Sequence, residues 1–417
     1  MRTQSLTAAA AINEQRLWER HMTLGEVGAT PKGGVNRQVF SPADGRARQL
    51  MVHWARAYGF AVSTDAIGNL FIRRPGTDAE ATPVLTGSHL DSQPTGGKFD
   101  GAYGVLAGFE ALLAMQEAGM VTRRPVELVA WSGEEGSRFQ PGCMGSSMFV
   151  GRRPLAEVLS STDWQGTTVR EALYATLDCT PDVPQRPLGF AAAAYIEAHI
   201  EQGPILETMG HTVGVVTGIQ GSRRYTVEVI GAEAHAGTAP LRTRQDALKA
   251  AVSMIHALED VMADDTDTVR FTVGRFDVFP GSPNTVPGRA LFSIDFRHPE
   301  SATIERLTSQ IEPVCRAHAR GCQVVVTRLS NVAPTHFGTA TVDLIRQHAT
   351  RLGLPHMDIL SGAGHDAMYL HTVCPTGMIF VPCEKGVSHN ETENARPADL
   401  AAGTRVLVEC LVELANR

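Results

Sequence analysis

The stretch PVLTGSH (83–89) opens the part of the chain that decides the fold, and the glycine-rich loop TGGKFDG (95–101) follows shortly after it. The first stretch is rich in β-forming residues and predicts a strand. Beyond the loop, four apolar side chains at helical spacing predict a helix that ends near Gly119: Val105, Phe109, Leu112 and Leu113. The run VELVAW (126–131) predicts a second strand. A strand, a helix and a strand in this order indicate a parallel β-α-β unit, and therefore a sheet flanked by helices.

Polar residues gather where both predicted strands end. His89 ends the first strand and Asp100 lies in the loop behind it, while Glu134 and Glu135 follow the second strand directly after Gly133. In open parallel sheets, binding sites form beyond the carboxyl ends of the strands. A functional site is therefore expected at this edge of the sheet.

Residues 212–328 have a different pattern. RRYTVEVIG (223–231) alternates apolar and polar positions, as a strand with one solvated face does. A helix, the strands VRFTVGRFDV and GRALFSIDFR, a helix over about 302–319 and the strand QVVVT complete a β-α-β-β-α-β order. This order predicts a small α+β domain inserted into a catalytic α/β domain (1–211 and 329–417) with a mixed, largely parallel sheet flanked by helices. The alternative is one continuous α/β sheet.

The composition is that of a globular protein, with 43% hydrophobic and 19% charged residues. A net charge of −7 argues against nucleic acid or an anionic membrane surface as a partner. No apolar run approaches the ~20 residues that span a bilayer. Seven scattered cysteines, none in a C-x-x-C pair, argue against a disulfide framework and against a thiolate zinc site. These features favour a reduced, cytoplasmic location.

Histidines and carboxylates supply candidate ligands for a divalent ion of the zinc type, whose catalytic sites leave one position open for water. The candidates are His89, Asp91, Asp100, Glu134, Glu135, His199 and His389. His89 and Asp91 are separated by one residue, so both would face the same side of a strand. One can bind the metal while the carboxylate takes the other ring N–H and fixes the tautomer. Asp100, in a loop just before a helix, is placed to turn its two oxygens toward two ions.

The adjacent glutamates are expected to have different roles, because neighbouring side chains at a strand end point to different places. One ligates a metal, and Glu134 acts as general base toward a water whose pKa the ions lower toward ~7. Two divalent ions beside three neutral histidines and two carboxylates keep a positive charge. A hydroxide and one further carboxylate would balance it.

Seven motifs along the chain match one known family. They are GSHLDSQPTGGKFDG, WSGEEGSRF, EAHIEQGP, GAEAHAGTAP, PNTVPG, SGAGHDAM and VPCEKGVSHNE. From about Gly34 to the C-terminus, the chain resembles the hydantoinase/carbamoylase branch of the dinuclear M20-type amidohydrolases. That branch includes N-carbamoyl-L-amino-acid hydrolases, β-ureidopropionase and allantoate amidohydrolase.

The resemblance implies a two-ion centre in which Asp100 bridges the metals. His89 and His199 would complete the first set of ligands, and Glu135 and His389 the second. Two further residues would act beside them: Asp91 as a support behind the ligands and Glu134 as the acid/base. Asp91 as a ligand in its own right is the alternative.

The resemblance also implies the substrate-binding residues. Gln202 would contact substrate, and the inserted domain, acting as a lid and dimerisation domain, would supply His235, Asn284 and Arg297. His235 would enter the site from the other subunit of a homodimer and polarise the scissile carbonyl. Arg297 could instead be an outward charge on an alternating strand. No mechanism follows for His365 and Asp366 of SGAGHDAM, for which structural support of the site is the favoured interpretation.

The expected function is metal-dependent hydrolysis of the carbamoyl C–N bond of a small ureido acid, an N-carbamoyl L-α-amino acid or N-carbamoyl-β-alanine. The products would be the amino acid, ammonia and carbon dioxide. Zinc is the expected metal, with manganese, cobalt or nickel as alternatives, since sites of nitrogen and oxygen ligands accept several ions. The alternatives for function are an allantoate amidohydrolase, another M20 amidase or peptidase, and a binding protein that has lost catalysis.

Overall fold

A computed structural model describes residues 8–417, which form two compact units. The first unit extends to Thr217 and resumes at Phe337–Arg417, and the second is Gly218–His336. None of the helices in residues 8–417 is long and apolar enough to cross a membrane.

The strands, in chain order, are β1 (Ala61–Thr64), β2 (Leu70–Arg74), β3 (Val84–His89), β4 (Val126–Trp131), β5 (Ala194–Ile200), β6 (Val213–Ile219), β7 (Gly221–Ile230), β8 (Ala234–His235), β9 (Arg270–Thr272), β10 (Phe276–Phe279), β11 (Thr285–Val286), β12 (Arg289–His298), β13 (Gln323–Val332), β14 (Thr335–His336), β15 (His356–Ser361) and β16 (Thr376–Val381). The α-helices are α1 (Glu14–Gly25), α2 (Pro42–Ala57), α3 (Ala102–Glu117), α4 (Met144–Phe149), α5 (Leu155–Ser160), α6 (Val169–Leu177), α7 (Ile205–Met209), α8 (Ala247–Met262), α9 (Ser301–Thr308), α10 (Ile311–Ala317), α11 (Thr339–Arg351), α12 (Ala367–Leu370) and α13 (Pro397–Ala415). Short 3₁₀ turns occur at Leu241–Thr243 and Glu384–Gly386.

A mixed sheet organises the first unit. Its order is β1-β2-β4-β3-β5-β16-β6-β14, with β15 beside β6. The central strands β4, β3, β5 and β16 run parallel, whereas the outer pairs β1–β2, β2–β4 and β16–β6 are antiparallel. The predicted α/β class with a mixed sheet flanked by helices is confirmed.

The four parallel strands are buried along their whole length, as strands covered on both faces must be. Helix α3 is apolar around most of its circumference and buried from Ala102 to Met115, and it packs against β3, β5 and α13. Gly104 permits this close approach, because a Cβ there would lie 2.3 Å from the carbonyl oxygen of Ala198. Helix α3 is thereby packed directly against the strands whose ends carry the candidate ligands.

The second unit is an antiparallel sheet covered by helices on one face. Its order is β10-β12-β7-β13, with β9 also paired to β12. Alternate residues of β7 and β12, such as Val227 and Phe292, point into a core shared with α8, α9 and α10. The α+β character expected for this segment is therefore observed.

Two predicted elements of the second unit are interrupted. The helix expected over 302–319 is two helices, α9 and α10, because Pro313 has no N–H to donate and its ring disfavours a continuous helix. VRFTVGRFDV forms β9 and β10 rather than one strand, and the register against β12 shifts by one residue between them, where Gly274 lies.

The boundaries of the inserted segment also differ from those predicted at 212 and 328. Strand β6 pairs with β16 through Val216, so the chain leaves the first sheet only near Gly218. Strand β13 stays paired with β7 as far as Val332, so the second unit continues to His336.

Candidate metal centre

The carboxyl ends of the parallel strands bring the predicted ligands of the first unit together. His89 is the last residue of β3, and His199 lies near the end of the neighbouring β5. Glu134 and Glu135 follow β4 by three and four residues, and His389 lies in the loop after β16. Three parallel strands and one connecting loop thus converge on one edge of the sheet.

Asp100 lies at the centre of this cluster, with an oxygen on each side. Its Oδ1 is 3.3 Å from Nε2 of His199 and 3.8 Å from Nε2 of His89. Its Oδ2 is 3.3 Å from Nε2 of His389, which is also 3.3 Å from Oε2 of Glu135. Two groups that could each hold an ion therefore share Asp100, one with His89 and His199 and the other with Glu135 and His389.

The backbone around Asp100 is fixed by a glycine and a distant glutamate. Gly101 has φ +64°, and a Cβ there would lie 2.3 Å from the His89 ring, so only glycine fits. Glu393 accepts the N–H groups of Phe99 and Asp100 on Oε1, at 2.9 and 3.1 Å. Its Oε2 accepts the Ser388 hydroxyl at 2.9 Å. The loop that carries Asp100 is thus held by a residue almost 300 positions away.

The tautomers of His89 and His199 are set by backbone carbonyls. Nδ1 of His89 is 2.9 Å from the carbonyl oxygen of Asp91, and Nδ1 of His199 is 2.8 Å from that of Ile200. A carbonyl can only accept, so each Nδ1 carries a proton, and Nε2 is the ring nitrogen that would present a lone pair to an ion when the ring is neutral. Nε2 of His89 is buried and has no hydrogen-bond partner among the described residues. An imidazole in this state is suited to bind a cation.

The structure gives Asp91 a different contact from the one predicted. The Asp91 carboxylate Oδ1 is 3.8 Å from Nδ1 of His89, too far for a hydrogen bond, so its carbonyl and not its carboxylate fixes the ring. The carboxylate instead accepts the backbone N–H groups of Glu134 and Glu135, each at 3.2 Å. Asp91 therefore orients the turn that carries both glutamates.

The buried charges of the cluster fit a bound cation. Burial and neighbouring carboxylates raise the pKa of Glu135 to about 8 and that of Glu134 well above its usual range. Burial would lower the pKa of His199, but its hydrogen bond to Asp100 and the charge of that carboxylate raise the pKa to about 8. The hydrogen bond to Asp100 likewise raises the pKa of His389 to about 9. Without a cation the cluster retains protons, and divalent ions would supply the positive charge that it attracts.

Glu134 approaches this cluster at His89. Its Oε2 is 3.6 Å from Nε2 of His89, and its Oε1 accepts a hydrogen bond from the Cys143 thiol, with sulfur and oxygen 3.5 Å apart. Glu135 is turned to His389 and to Gln93, whose side-chain amide donates to Oε2 at 2.7 Å. The neighbouring glutamates therefore make different contacts. This difference is expected if one of them is a general base and the other a metal ligand.

Gln202 and His389 both have left-handed backbone conformations, with φ of 59° and 53°. Such conformations are costly for non-glycine residues and concentrate at functional sites. The side-chain amide of Gln202 donates to Oδ2 of Asp100 at 2.9 Å and to the Ser388 hydroxyl at 3.4 Å. Its Oε1 is buried without a partner among the described residues, so it remains an acceptor.

Two of the residues predicted in the second unit, His235 and Asn284, lie on a short ribbon of this unit. His235 in β8 pairs with Thr285 in β11, and the N–H of Ala236 donates to the carbonyl of Asn284 at 2.9 Å. His235 and Asn284 are both exposed and adjacent on this two-stranded ribbon. Nδ1 of His235 accepts the N–H groups of Gly237 and Thr238, at 3.1 and 3.2 Å, so a neutral ring carries its proton on Nε2.

Arg297 lies on β12 and already binds a carboxylate. Its Nε and a terminal nitrogen donate to the two oxygens of Asp295, at 2.8 and 3.2 Å, and its side chain is 32% exposed. The guanidinium thus has the geometry for two parallel hydrogen bonds to an acid group.

A comparison with known proteins identifies the family. Residues 85–413 match peptidase family M20/M25/M40. The chain belongs to this family. Over 411 residues it is 40% identical to an N-carbamoyl-L-amino-acid amidohydrolase of Geobacillus stearothermophilus, covering 97% of this chain and 99% of the relative. An allantoate amidohydrolase of Escherichia coli is 34% identical over 407 residues, covering 97% of this chain and 98% of that protein.

A solved structure extends this likeness to the fold. An amidase of the hydantoinase/carbamoylase family from Burkholderia multivorans has a TM-score of 0.90 and 42% identity, covering 97% of this chain and 98% of that one. The predicted resemblance to this branch of the M20 family is confirmed. The M20 chain is a hydrolase that acts on carbon–nitrogen bonds other than peptide bonds.

Glu197 was missed in the sequence, and His365 had no predicted mechanism beyond structural support of the site. Glu197 is buried beside His199, where it accepts the Ser88 hydroxyl at 2.7 Å and the N–H of Ala367 at 3.0 Å. The His365 ring lies 4.5 Å from that of His199, edge to face. Glu197, His199 and His365 form a third buried group of possible ligands. Strand alternation could have indicated Glu197, since it lies two residues before His199.

Proposed function

We propose that this M20 hydrolase cleaves the carbamoyl C–N bond of an N-carbamoyl amino acid, an L-α-amino acid or β-alanine, and releases the amino acid, ammonia and carbon dioxide. One observation carries the proposal: Asp100 is shared by two His/carboxylate groups, with Glu134 beside them. The name of the Geobacillus stearothermophilus relative supports the substrate class.

His89, Asp100 and His199 would hold one divalent ion, and Asp100, Glu135 and His389 a second. Zinc suits these ligands, and manganese, cobalt or nickel are alternatives. Bound there, such ions act as Lewis acids and make water nucleophilic at neutral pH. The ring tautomers and the protons that the cluster retains support this assignment.

Glu134 is proposed to move the proton. It takes a proton from the attacking water and delivers it to the leaving nitrogen, so that the C–N bond breaks as the amine becomes neutral. Its position beside His89 supports this role, because a group that moves a proton must lie within reach of the reacting atoms. Asp91 would keep Glu134 oriented through the backbone N–H that it accepts.

The substrate is proposed to be bound by Gln202, His235, Asn284 and Arg297. The buried acceptor Oε1 of Gln202 could take an N–H of the ureido group. The Nε2–H of His235 is suited to donate to the scissile carbonyl and to stabilise the oxyanion that forms there. Arg297 would meet the substrate carboxylate with two hydrogen bonds.

The proposal also includes the oligomeric state of the enzyme and its location in the cell. The enzyme would be a cytoplasmic homodimer in which His235 acts in the site of the partner subunit. All seven cysteines are free thiols, which is consistent with a reducing compartment.

The test is ammonia release from a panel of N-carbamoyl amino acids and allantoate, with and without added zinc, manganese, cobalt or nickel. We expect metal-dependent release from an N-carbamoyl amino acid, at a rate about 10³-fold lower for Glu134→Gln. Allantoate is the main rival substrate, because the Escherichia coli relative is named for it. A higher kcat/KM with allantoate would overturn the substrate proposal, and inactivity on the whole panel would favour a binding protein.

A further inference from the structure

Cys143 occupies an unusual position next to Glu134. It is buried and has a left-handed conformation, with φ 50° and ψ 39°, directly before helix α4. A non-glycine residue adopts this conformation only where its surroundings impose it. The side chain does not cap the helix, so its placement has another cause.

Backbone hydrogen bonds hold Cys143 next to the turn that contains Gly133 and Glu134. Its N–H donates to the carbonyl of Glu134 at 2.8 Å, and the next N–H, of Met144, donates to that of Gly133 at 3.0 Å. Gly142 has no room for a side chain, since a Cβ there would lie 2.4 Å from the carbonyl oxygen of Glu134. These backbone contacts between residues 133–134 and 142–144 place the thiol beside the Glu134 side chain.

Helix α4 is anchored in turn from a distant part of the chain. The Ser146 hydroxyl donates to Oδ1 of the fully buried Asp366 and lies 3.3 Å from the carbonyl oxygen of Cys143. The sequence suggested no mechanism for Asp366. Through Ser146, this residue supports the segment that holds Cys143 beside Glu134.

We infer that the Cys143 thiol is a positioning group for hydrolysis: its S–H donates to Oε1 of Glu134 and keeps Oε2 turned toward His89. This inference rests on the proposed role of Glu134. A carboxylate has two equivalent oxygens and a rotatable stem, so fixing one oxygen orients the other. Because one misplaced ångström at a reacting group costs up to ~10²-fold in rate, the contact affects kcat rather than substrate binding.

The thiol has the protonation state that this role requires. Burial, with the charges of Glu134 and Asp366, holds the pKa of Cys143 well above its usual range. It therefore remains an S–H donor at neutral pH and is not a nucleophile.

The kinetic test compares Cys143→Ala, which removes the donor, with Cys143→Ser, which keeps one. We expect Cys143→Ala to lower kcat about 10-fold with KM and bound metal unchanged. Cys143→Ser should stay within about 2-fold of wild type. Cys374→Ala is the matched control, since the hydrogen bonds of that buried thiol within residues 8–417 are to the neutral oxygens of Leu370 and Thr376. Wild-type kcat in Cys143→Ala, or an equal loss in Cys143→Ser, would overturn the inference.

A spectroscopic test needs no substrate and so separates this inference from the proposed function. The infrared S–H band of Cys143, assigned by its absence in Cys143→Ser, should move to higher frequency in Glu134→Ala, where the acceptor is lost. An unchanged band would show that the thiol does not bind Glu134, whatever the enzyme hydrolyses. If Cys143→Ala fails to fold, the shift of the S–H band in Glu134→Ala and the kcat of Cys143→Ser still test the inference.

Discussion

The cluster of possible metal ligands in the first unit and the His235–Asn284 ribbon of the second differ in how their side chains are held. His89, Asp100 and His199 are buried, and each has a fixed orientation from carbonyls, N–H groups or charged neighbours. His235 and Asn284 are exposed, and they are positioned by a short two-stranded pairing and by hydrogen bonds to residues next to them in sequence.

Burial explains this difference. A buried charge must be paired or it costs several kcal/mol, so a buried cluster specifies its own geometry through the partners it needs. An exposed side chain is solvated, so its place in the fold requires no particular partner. The cluster therefore finds its partners within one unit, whereas the ribbon leaves His235 and Asn284 open to solvent.

Replacing Asp100 should have the largest effect, because both ion-binding groups include it. We expect Asp100→Ala to lose hydrolysis entirely and to retain far less than two metal ions per chain by elemental analysis. Asp163→Ala is the control, since Asp163 is also buried but binds Arg138 instead. Two tightly bound ions in Asp100→Ala would mean that the cluster is not organised around this residue.

The adjacent glutamates test whether the cluster has separate roles for base and ligand. Glu134→Gln should lower kcat about 10³-fold while keeping the metals, because it removes a general acid–base group. Glu135→Gln should instead weaken metal binding, since Glu135 faces His389. The measurement is kcat beside metal content for both variants, and exchanged phenotypes would exchange the two roles.

His235 tests whether the ribbon acts across a dimer. His235→Ala should lower kcat about 10²-fold, the loss expected for one oxyanion donor. Coexpressed His235→Ala and Glu134→Gln subunits should regain activity, because a mixed dimer contains one site with both residues. Verified heterodimers that stay inactive would contradict action in trans.

Arg297 should have an effect comparable to that of His235, and its size should depend on the substrate. Arg297→Ala should cost about 3 kcal/mol in kcat/KM, and Arg297→Lys less, because lysine cannot form two parallel hydrogen bonds. The loss should shrink for an analogue whose carboxylate is an amide. Equal losses with acid and amide would mean that Arg297 serves the sheet through Asp295 and not the substrate.

The sequence predicted the cluster better than its supports. His89, Asp100 and Glu134 could be predicted as site residues because each follows a strand or lies in a glycine-rich loop, and both features are visible in the neighbouring sequence. The contact of Glu393 with the Asp100 loop joins residues 293 positions apart, and nothing in the local pattern indicates it. Asp91 was placed near His89, but whether its carbonyl or its carboxylate meets the ring depends on the turn at Glu134, which only the folded chain defines.

The inserted unit shows a similar limit. The order of its helices and strands could be predicted from the alternation of apolar and polar residues. Its first and last residues could not, because β6 and β13 remain paired beyond the residues at which this alternation ends. The break before α10 was foreseeable from Pro313. The shift between β9 and β10 was not, since a glycine within a strand pattern is compatible with either outcome.

Metal reconstitution tests most directly the claim that the buried cluster is a two-ion catalytic centre. Zinc is titrated into metal-free protein while ammonia release from an N-carbamoyl amino acid is recorded. We expect no activity without metal, and a maximum when two ions are bound per chain. Full activity in metal-free protein, or a maximum at a single ion, would contradict the sharing of Asp100 between two metals.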